Sequence, residues 1–197
     1  MIAGATATLL HEGVGHGVTA WLRGDLPTEL TSNHLSAQID DKLVSAGGTL
    51  VNFAVGVAAL LAMRRIRSDT RRYAMWLFAA LNLLPGAGYF MFSGFLGVGD
   101  WEAVLAGSPH YATLRAGMAV GGTALYALVV WQLARAIRDY APDVRALWIV
   151  PYFAAAGVEC IAGLLDPLGI ALYVMSTLPA TFGGSSGLAW VHNSCAT

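Results

Sequence analysis

The sequence predicts an all-α polytopic membrane protein of about six transmembrane helices, with a glycine-rich re-entrant segment and a short hairpin as one reading of its first polar loop. Three observations predict it. Hydrophobic residues make up 56% of the 197-residue chain and charged residues only 12%, about half the charged share of a soluble domain. Uncharged runs of about 20 residues, the length a helix needs to cross hydrocarbon, recur along the chain. The arginines cluster in some of the loops between those runs, and acidic residues in others. A mean hydropathy of +0.60 agrees. The net charge of −1 offers no basic surface for nucleic acid.

Residues 1–22 form the first apolar run. No Lys or Arg precedes it and a polar triplet interrupts it, so it reads as a retained membrane helix rather than a secretory signal. Residues 43–63 (LVSAGGTLVNFAVGVAALLAM), 73–93 (YAMWLFAALNLLPGAGYFMFS) and 116–134 (AGMAVGGTALYALVVWQLA) carry no charge at all. Residues 146–165 carry only Glu159. Residues 168–190 are apolar but broken by Pro179 and GGSSG, so the count is six, or five if this last run does not cross.

The stretch RRIRSDTRR (64–72) holds five of the 11 basic residues, and ARAIRDYAPDVR (134–145) holds three more. An even number of crossings separates them, so the arginine-rich loops 64–72 and 135–145 share a face, cytoplasmic by the positive-inside rule. Loop 23–42 and loop 94–110 are acidic and fall on the other face. Within loop 23–42, TELTSNHLSAQI reads as two short strands around Ser32-Asn33 or as an irregular loop. Two cysteines, Cys160 and Cys195, give neither a disulfide framework nor a zinc-ribbon spacing, and both read as free thiols.

The chemistry sits in LLHEGVGHGV (9–18). Ionisable side chains inside a membrane run are expensive and by default functional candidates, and here His11, Glu12 and His16 fall within six residues. Zinc needs imidazoles converging on one tetrahedral centre. In an α-helix a spacing of four leaves two side chains about 40° apart, whereas five leaves them about 140° apart. Two histidines five apart therefore meet on one ion only if the helix carries a π-bulge or kink, for which Gly13, Gly15 and Gly17 are suited. Such a bulge should face protein, because a peptide group freed in lipid has no partner. The competing reading pairs Glu12 with His16, four apart, as a hydrogen-bonded core pair.

The pattern HExxGH resembles the zinc motif of the dipeptidyl peptidase III family, in which the same insertion still binds zinc. A broader likeness covers residues 1–101. AGGTLVN (46–52) is similar to the A-G-P-x-x-N signature of site-2-protease-like intramembrane metalloproteases, and NLLP (82–85) to their N-x-x-P. The order HE…H, G-x-x-x-N, NLLP…D is that family's order on successive helices. Three departures stand out: the inserted residue, Thr49 in place of proline, and GAGYFMFSGFLGVGDW separating NLLP from an acidic residue. The resemblance implies a three-helix metalloprotease core over 1–101, with 102–197 adding two to three further crossings and a tail in the same membrane domain.

It further implies zinc held by His11, His16 and an acidic third ligand, with Glu12 as general base and Asn82 and Asn52 beside the substrate. Asp100 is the leading third ligand, since glycines 86, 88, 94, 97 and 99 allow a re-entrant backbone to carry it inward. Alternatively Asp100 and Trp101 mark the outer interface. Glu159, Asp166, His34, His110 or no third protein ligand remain as alternatives, with Asp166 also readable as a helix cap before Pro167. Asn52 and Asn82 also read as amides that stitch helices together, and Gly47 and Gly48 as points of close packing. His192 reads as solvated. The expected activity is peptide-bond hydrolysis in or near the bilayer, on a transmembrane or membrane-proximal peptide, with the chain in contact with lipid. The alternative is a non-catalytic transporter or assembly factor with a structural metal or polar packing cluster at the same residues.

Overall fold

Each apolar run becomes helix, the one local structure that satisfies its own backbone groups in an apolar surround. The computed structural model describes residues 2–31, 34–38, 41–138, 146–167 and 169–195. Helix α1 (Ile2–Leu9) runs directly into a π-helical segment (Leu10–Val18) and then α2 (Thr19–Leu22). Strand β1 (Pro27–Leu30) pairs antiparallel with β2 (Leu35–Ala37). There follow α3 (Lys42–Met63), α4 (Asp69–Leu96), the short α5 (Asp100–Leu105) and α6 (Tyr111–Ile137). Helix α7 (Ala146–Leu164) and α8 (Ile170–Leu172) lead into two further π-helical segments (Tyr173–Thr177, Pro179–Gly184) and α9 (Gly187–Cys195).

Of the crossings expected, α3, α4 and α6 are long and apolar enough to span a membrane. They also expose apolar side chains outward: Leu50, Leu61, Val120 and Leu128 are each half or more exposed. The polar groups lie inside. Helix α4 is the centre of the bundle, with α3 on one side and α6 on the other. Close approach is made by small residues, as expected where lipid supplies no hydrophobic drive between helices. A Cβ on Gly122 of α6 would stand 2.6 Å from the Met91 nitrogen of α4. Trp76, Leu84, Leu133, Ile137, Leu188 and Val191 fill the core without exposure, and the Trp76 indole donates to Leu133 O at 3.0 Å.

The helix ends that carry the two arginine-rich stretches come together. Met63, Asp69, Ile137 and Leu147 line one cavity, and the Tyr73 hydroxyl donates to Leu147 O at 2.8 Å. Residues 139–145 of the second stretch lie outside the described residues. At the other end of α3, Asp41 is the N-cap: its carboxylate accepts from Leu43 N at 2.8 Å and from Arg23 Nε at 2.7 Å. Of the two readings of the same loop, the hairpin is the one that forms, with Ser32-Asn33 outside the described residues. Buried Asp25 clips its base by accepting from Leu26 N and Gln38 N. All four residues of β1 are exposed.

The re-entrant backbone expected over 86–99 is much shorter than that. Gly86, Gly88 and Gly94 are helical within α4, and the reversal is confined to Gly97–Gly99, where Gly97 (φ 67°) and Gly99 (φ 85°) adopt backbone that only glycine takes easily. Arg115 of α6 donates to the carbonyls of Gly94 and Phe95, both at 2.9 Å, capping the last turn of α4.

At the GGSSG break, Tyr126 of α6 replaces the lost ladder. Its hydroxyl accepts from Gly187 N at 2.6 Å and donates to the Gly184 carbonyl at 2.7 Å. Tyr126→Phe leaves both buried groups unpaired and should cost about 1–3 kcal/mol, read as a lowered melting temperature in detergent. The Arg23 guanidinium and the Leu43 amide hold the Asp41 carboxyl below its usual value. Its stabilising contribution is therefore complete above the ordinary aspartate value of about 3.9 and fades as pH falls through the lowered folded-state value. Arg23→Ala should remove much of that acid-side loss in melting curves taken between about pH 6 and about pH 3.

Candidate metal centre

The five-residue spacing of the histidines is resolved by the backbone. Residues Leu10–Val18 form nine residues of π-helix, in which residue i bonds i+5. Side chains five apart then stack as side chains four apart do in an α-helix. His11 and His16 accordingly face the same way, ring centroids 4.8 Å apart and planes at 80°. The wide turn faces protein: a Cβ on Gly15 would stand 2.7 Å from Gly48 N and 2.8 Å from Gly47 O of α3. His11, Glu12, Gly15 and His16 are buried, while Val14 and Val18 look outward. Gly47 and Gly48 serve the close packing that the sequence suggested.

His16 Nδ1 lies 2.7 Å from Val44 O. A carbonyl only accepts, so Nδ1 carries a proton, and in the neutral ring Nε2 presents its lone pair to the site. Both ring nitrogens thus face groups other than Glu12, and the simple Glu12–His16 pair is not the arrangement found. His11 Nε2 lies 3.0 Å from Asp100 Oδ2, and His16 Nε2 lies 3.5 Å from the same oxygen. Around a tetrahedral ion with bonds of about 2.0–2.1 Å, ligand atoms stand about 3.3 Å apart. The two distances bracket that edge. His11, Glu12 and His16 together form a group that could hold a metal ion, their ligand atoms all within 4.8 Å of one another.

Asp100 reaches this point because Gly97 and Gly99 turn the chain back at the end of α4 and α5 begins at once. Trp101 fixes the approach: its indole donates to Thr49 Oγ1 of α3 at 3.2 Å and stacks on Phe90 at 4.2 Å. Thr49 is therefore an anchor for the acidic residue.

Asn52 of α3 lies against the other side of His11, its Nδ2 3.2 Å from His11 Nδ1, while its Oδ1 is buried without a hydrogen-bond partner. With the amide donating to Nδ1, the ring carries its proton on Nε2 and donates it to Asp100. With the amide turned over, Oδ1 accepts from Nδ1–H and Nε2 is free to ligate, the arrangement a metal-bound imidazole requires. The two amide orientations correspond to a metal-free and a metal-ready ring. Tyr89 stacks on the same imidazole at 5.0 Å.

Asn82 is fully buried and donates to Phe78 O one turn back at 2.8 Å. The cavity beside the histidines takes Leu81 and Pro85 from this stretch, and Asn52 from α3. Glu159 accepts from Thr8 at 2.8 Å and lines that cavity instead of joining the two histidines. Asp166 lies buried in the turn after α7, its carbonyl accepting from the amide of Gly169, the residue before α8. His110 is exposed at the start of α6, and His34 pairs through its backbone with Thr31. Cys160 is a free, half-buried thiol; the side chains of His192 and Cys195 lie outside the described residues.

No family model, curated protein or solved structure matches this chain. The site therefore stands on its own geometry.

That geometry is sensitive to two neighbours. A Cβ on Gly48 would stand 2.5 Å from His11 Nε2 and 2.6 Å from His16 Nε2, so Gly48→Ala should abolish tight metal binding, whereas Gly117→Ala, which meets open space, should leave it unchanged. Asn52→Ala should weaken metal affinity about 10–100-fold, as loss of an outer partner of a ligating histidine typically does. Metal content and chelator competition on the purified protein read both.

Proposed function

We propose that the protein is an integral-membrane zinc metalloprotease, similar in design to site-2-protease-like enzymes, that hydrolyses peptide bonds in or near the bilayer. The observation that carries the reading is the convergence of His11 Nε2, His16 Nε2 and Asp100 Oδ2 from two separate segments, with the Glu12 carboxylate beside them. Two nitrogen donors and one carboxylate, with a position left open, are the donor set of a hydrolytic zinc site. Zinc bound there would supply Lewis-acid polarisation and acidify a water.

The rest is done by the chain's own groups. Val44 O and Asn52 hold the two imidazoles in orientation and tautomer. Glu12, on the π-helical turn between the histidines, takes the proton of the attacking water and delivers it to the leaving amine nitrogen. Burial around His11, Glu12 and His16 excludes bulk water, which strengthens each of these interactions. The open edge of β1 suits an extended substrate by strand addition. Six crossings, with the arginine-rich loops 64–72 and 135–145 cytoplasmic, complete the reading. Asn82 is kept as a substrate-side amide only by the resemblance.

A second reading keeps the same cluster without turnover. The chain Asn52 to His11 to Asp100 closes as a hydrogen-bonded network with no metal at all, as a polar packing centre in a non-catalytic membrane protein would.

Glu12→Gln separates the two. An enzyme should lose at least about 100-fold in cleavage of reconstituted transmembrane peptides, the usual contribution of a general base, with zinc content and melting temperature unchanged. Asp100→Asn should lower zinc affinity as well as turnover. Wild-type protein purified without chelators and carrying no transition metal would eliminate the metalloprotease reading.

A further inference from the structure

The cavity beside His11 and Glu12 has a second wall built wholly from the C-terminal half. Its enclosed volume is about 80 Å³, below the range of whole-ligand pockets and on the scale of one side chain. Glu159 comes from α7, and Thr177, Thr181 and Ser185 from the interrupted helices after it. Gly184 is pressed on α4 at the proline: a Cβ there would stand 3.1 Å from the Pro85 Cα. This contact holds the hydroxyl-bearing segment against the catalytic half.

Thr177 is only 4% exposed, and its Oγ1 has no hydrogen-bond partner. A buried polar group without a partner costs free energy that a bound group can recover. Glu159 uses Oε1 to accept from Thr8 at 2.8 Å; charged or neutral, a carboxyl keeps further acceptor capacity. A second cavity shares Thr8, Glu12 and Glu159 and opens between Leu30 and Thr31 at the end of β1 and Val158 and Ala162 of α7. A chain laid along the hairpin edge would pass Glu12 on this side and direct one side chain toward the hydroxyls on the other.

We propose that Glu159 and Thr177, with Thr181 and Ser185, form a specificity subsite for a substrate side chain that donates hydrogen bonds, an amine or an amide next to the scissile bond. The subsite rests on the metalloprotease reading. An apolar side chain of similar length leaves Glu159 and Thr177 unsatisfied, and sites built to bond a polar group discriminate strongly against analogues that lack it.

The test uses the full-length, zinc-loaded protein in lipid nanodiscs, titrated with lysine hydroxamate and norleucine hydroxamate. These share a carbon skeleton and a metal-binding head and differ only in the terminal amine. Wild type should bind the lysine compound about tenfold or more tightly than the norleucine compound. Glu159→Met should bring the two affinities together, weakening the lysine compound and tightening the norleucine compound, without altering zinc content. Thr177→Val should narrow the difference, and serves where Glu159→Met does not fold. Equal affinities in wild type, or preference for norleucine, would overturn the subsite and leave the metal site standing. Failure of both hydroxamates to bind zinc-loaded protein would overturn the metalloprotease reading and the subsite with it.

Discussion

Everything near the two histidines depends on how closely the opening helix can approach α3. Gly15 meets Gly47 and Gly48 with no side chain between the backbones, so the wide turn of Leu10–Val18 is pressed against protein rather than lipid. That contact explains why a π-helical stretch survives in an apolar surround. Its irregular backbone is covered, and the imidazoles it presents are received by Val44 O and Asn52 of the same α3. A side chain at Gly15 or Gly48 would push the helices apart and separate the histidines from the groups that orient them. Packing, backbone geometry and the chemistry of the site are here a single constraint.

Much of this was legible from local pattern. Apolar runs near 20 residues located the helices, and the five-residue histidine spacing together with three glycines demanded a widened turn that the structure supplies. Asp100 was legible as a candidate because glycine alone tolerates the reversal before it, though the number of glycines overstated the extent of that reversal. Gly86, Gly88 and Gly94 serve helix packing, and only Gly97 and Gly99 bend the chain. A glycine that thins an interface and one that turns a backbone look alike in sequence, since both are simply positions without a Cβ.

Other parts of the site left no local trace. Asn52, expected beside a substrate, lines the cavity and also lies against His11, a pairing its own segment does not announce. Tyr89 stacks on that ring from a position about 80 residues away in sequence. Glu159 was legible as an unusual acid inside an apolar run, but its partner Thr8 lies at the far end of the chain. Pairings of this kind arise from the assembly of helices, and no periodicity within one segment encodes them. The three helices long enough to cross a membrane share the same logic: length and apolarity mark each one, while the order in which they touch is set by where small residues let backbones meet.

The bond between Trp101 and Thr49 has a consequence for how such a site can change over time. The hydroxyl at position 49 and the indole at position 101 secure one another across two helices, and Asp100 is carried in beside them. Replacing Thr49 with proline, as in the motif it resembles, deletes the acceptor and frees the aromatic ring to leave Phe90. The acidic residue would then need a different tether. The two positions should accordingly be inherited as a pair, and a lineage that loses one should soon be seen to exchange the other.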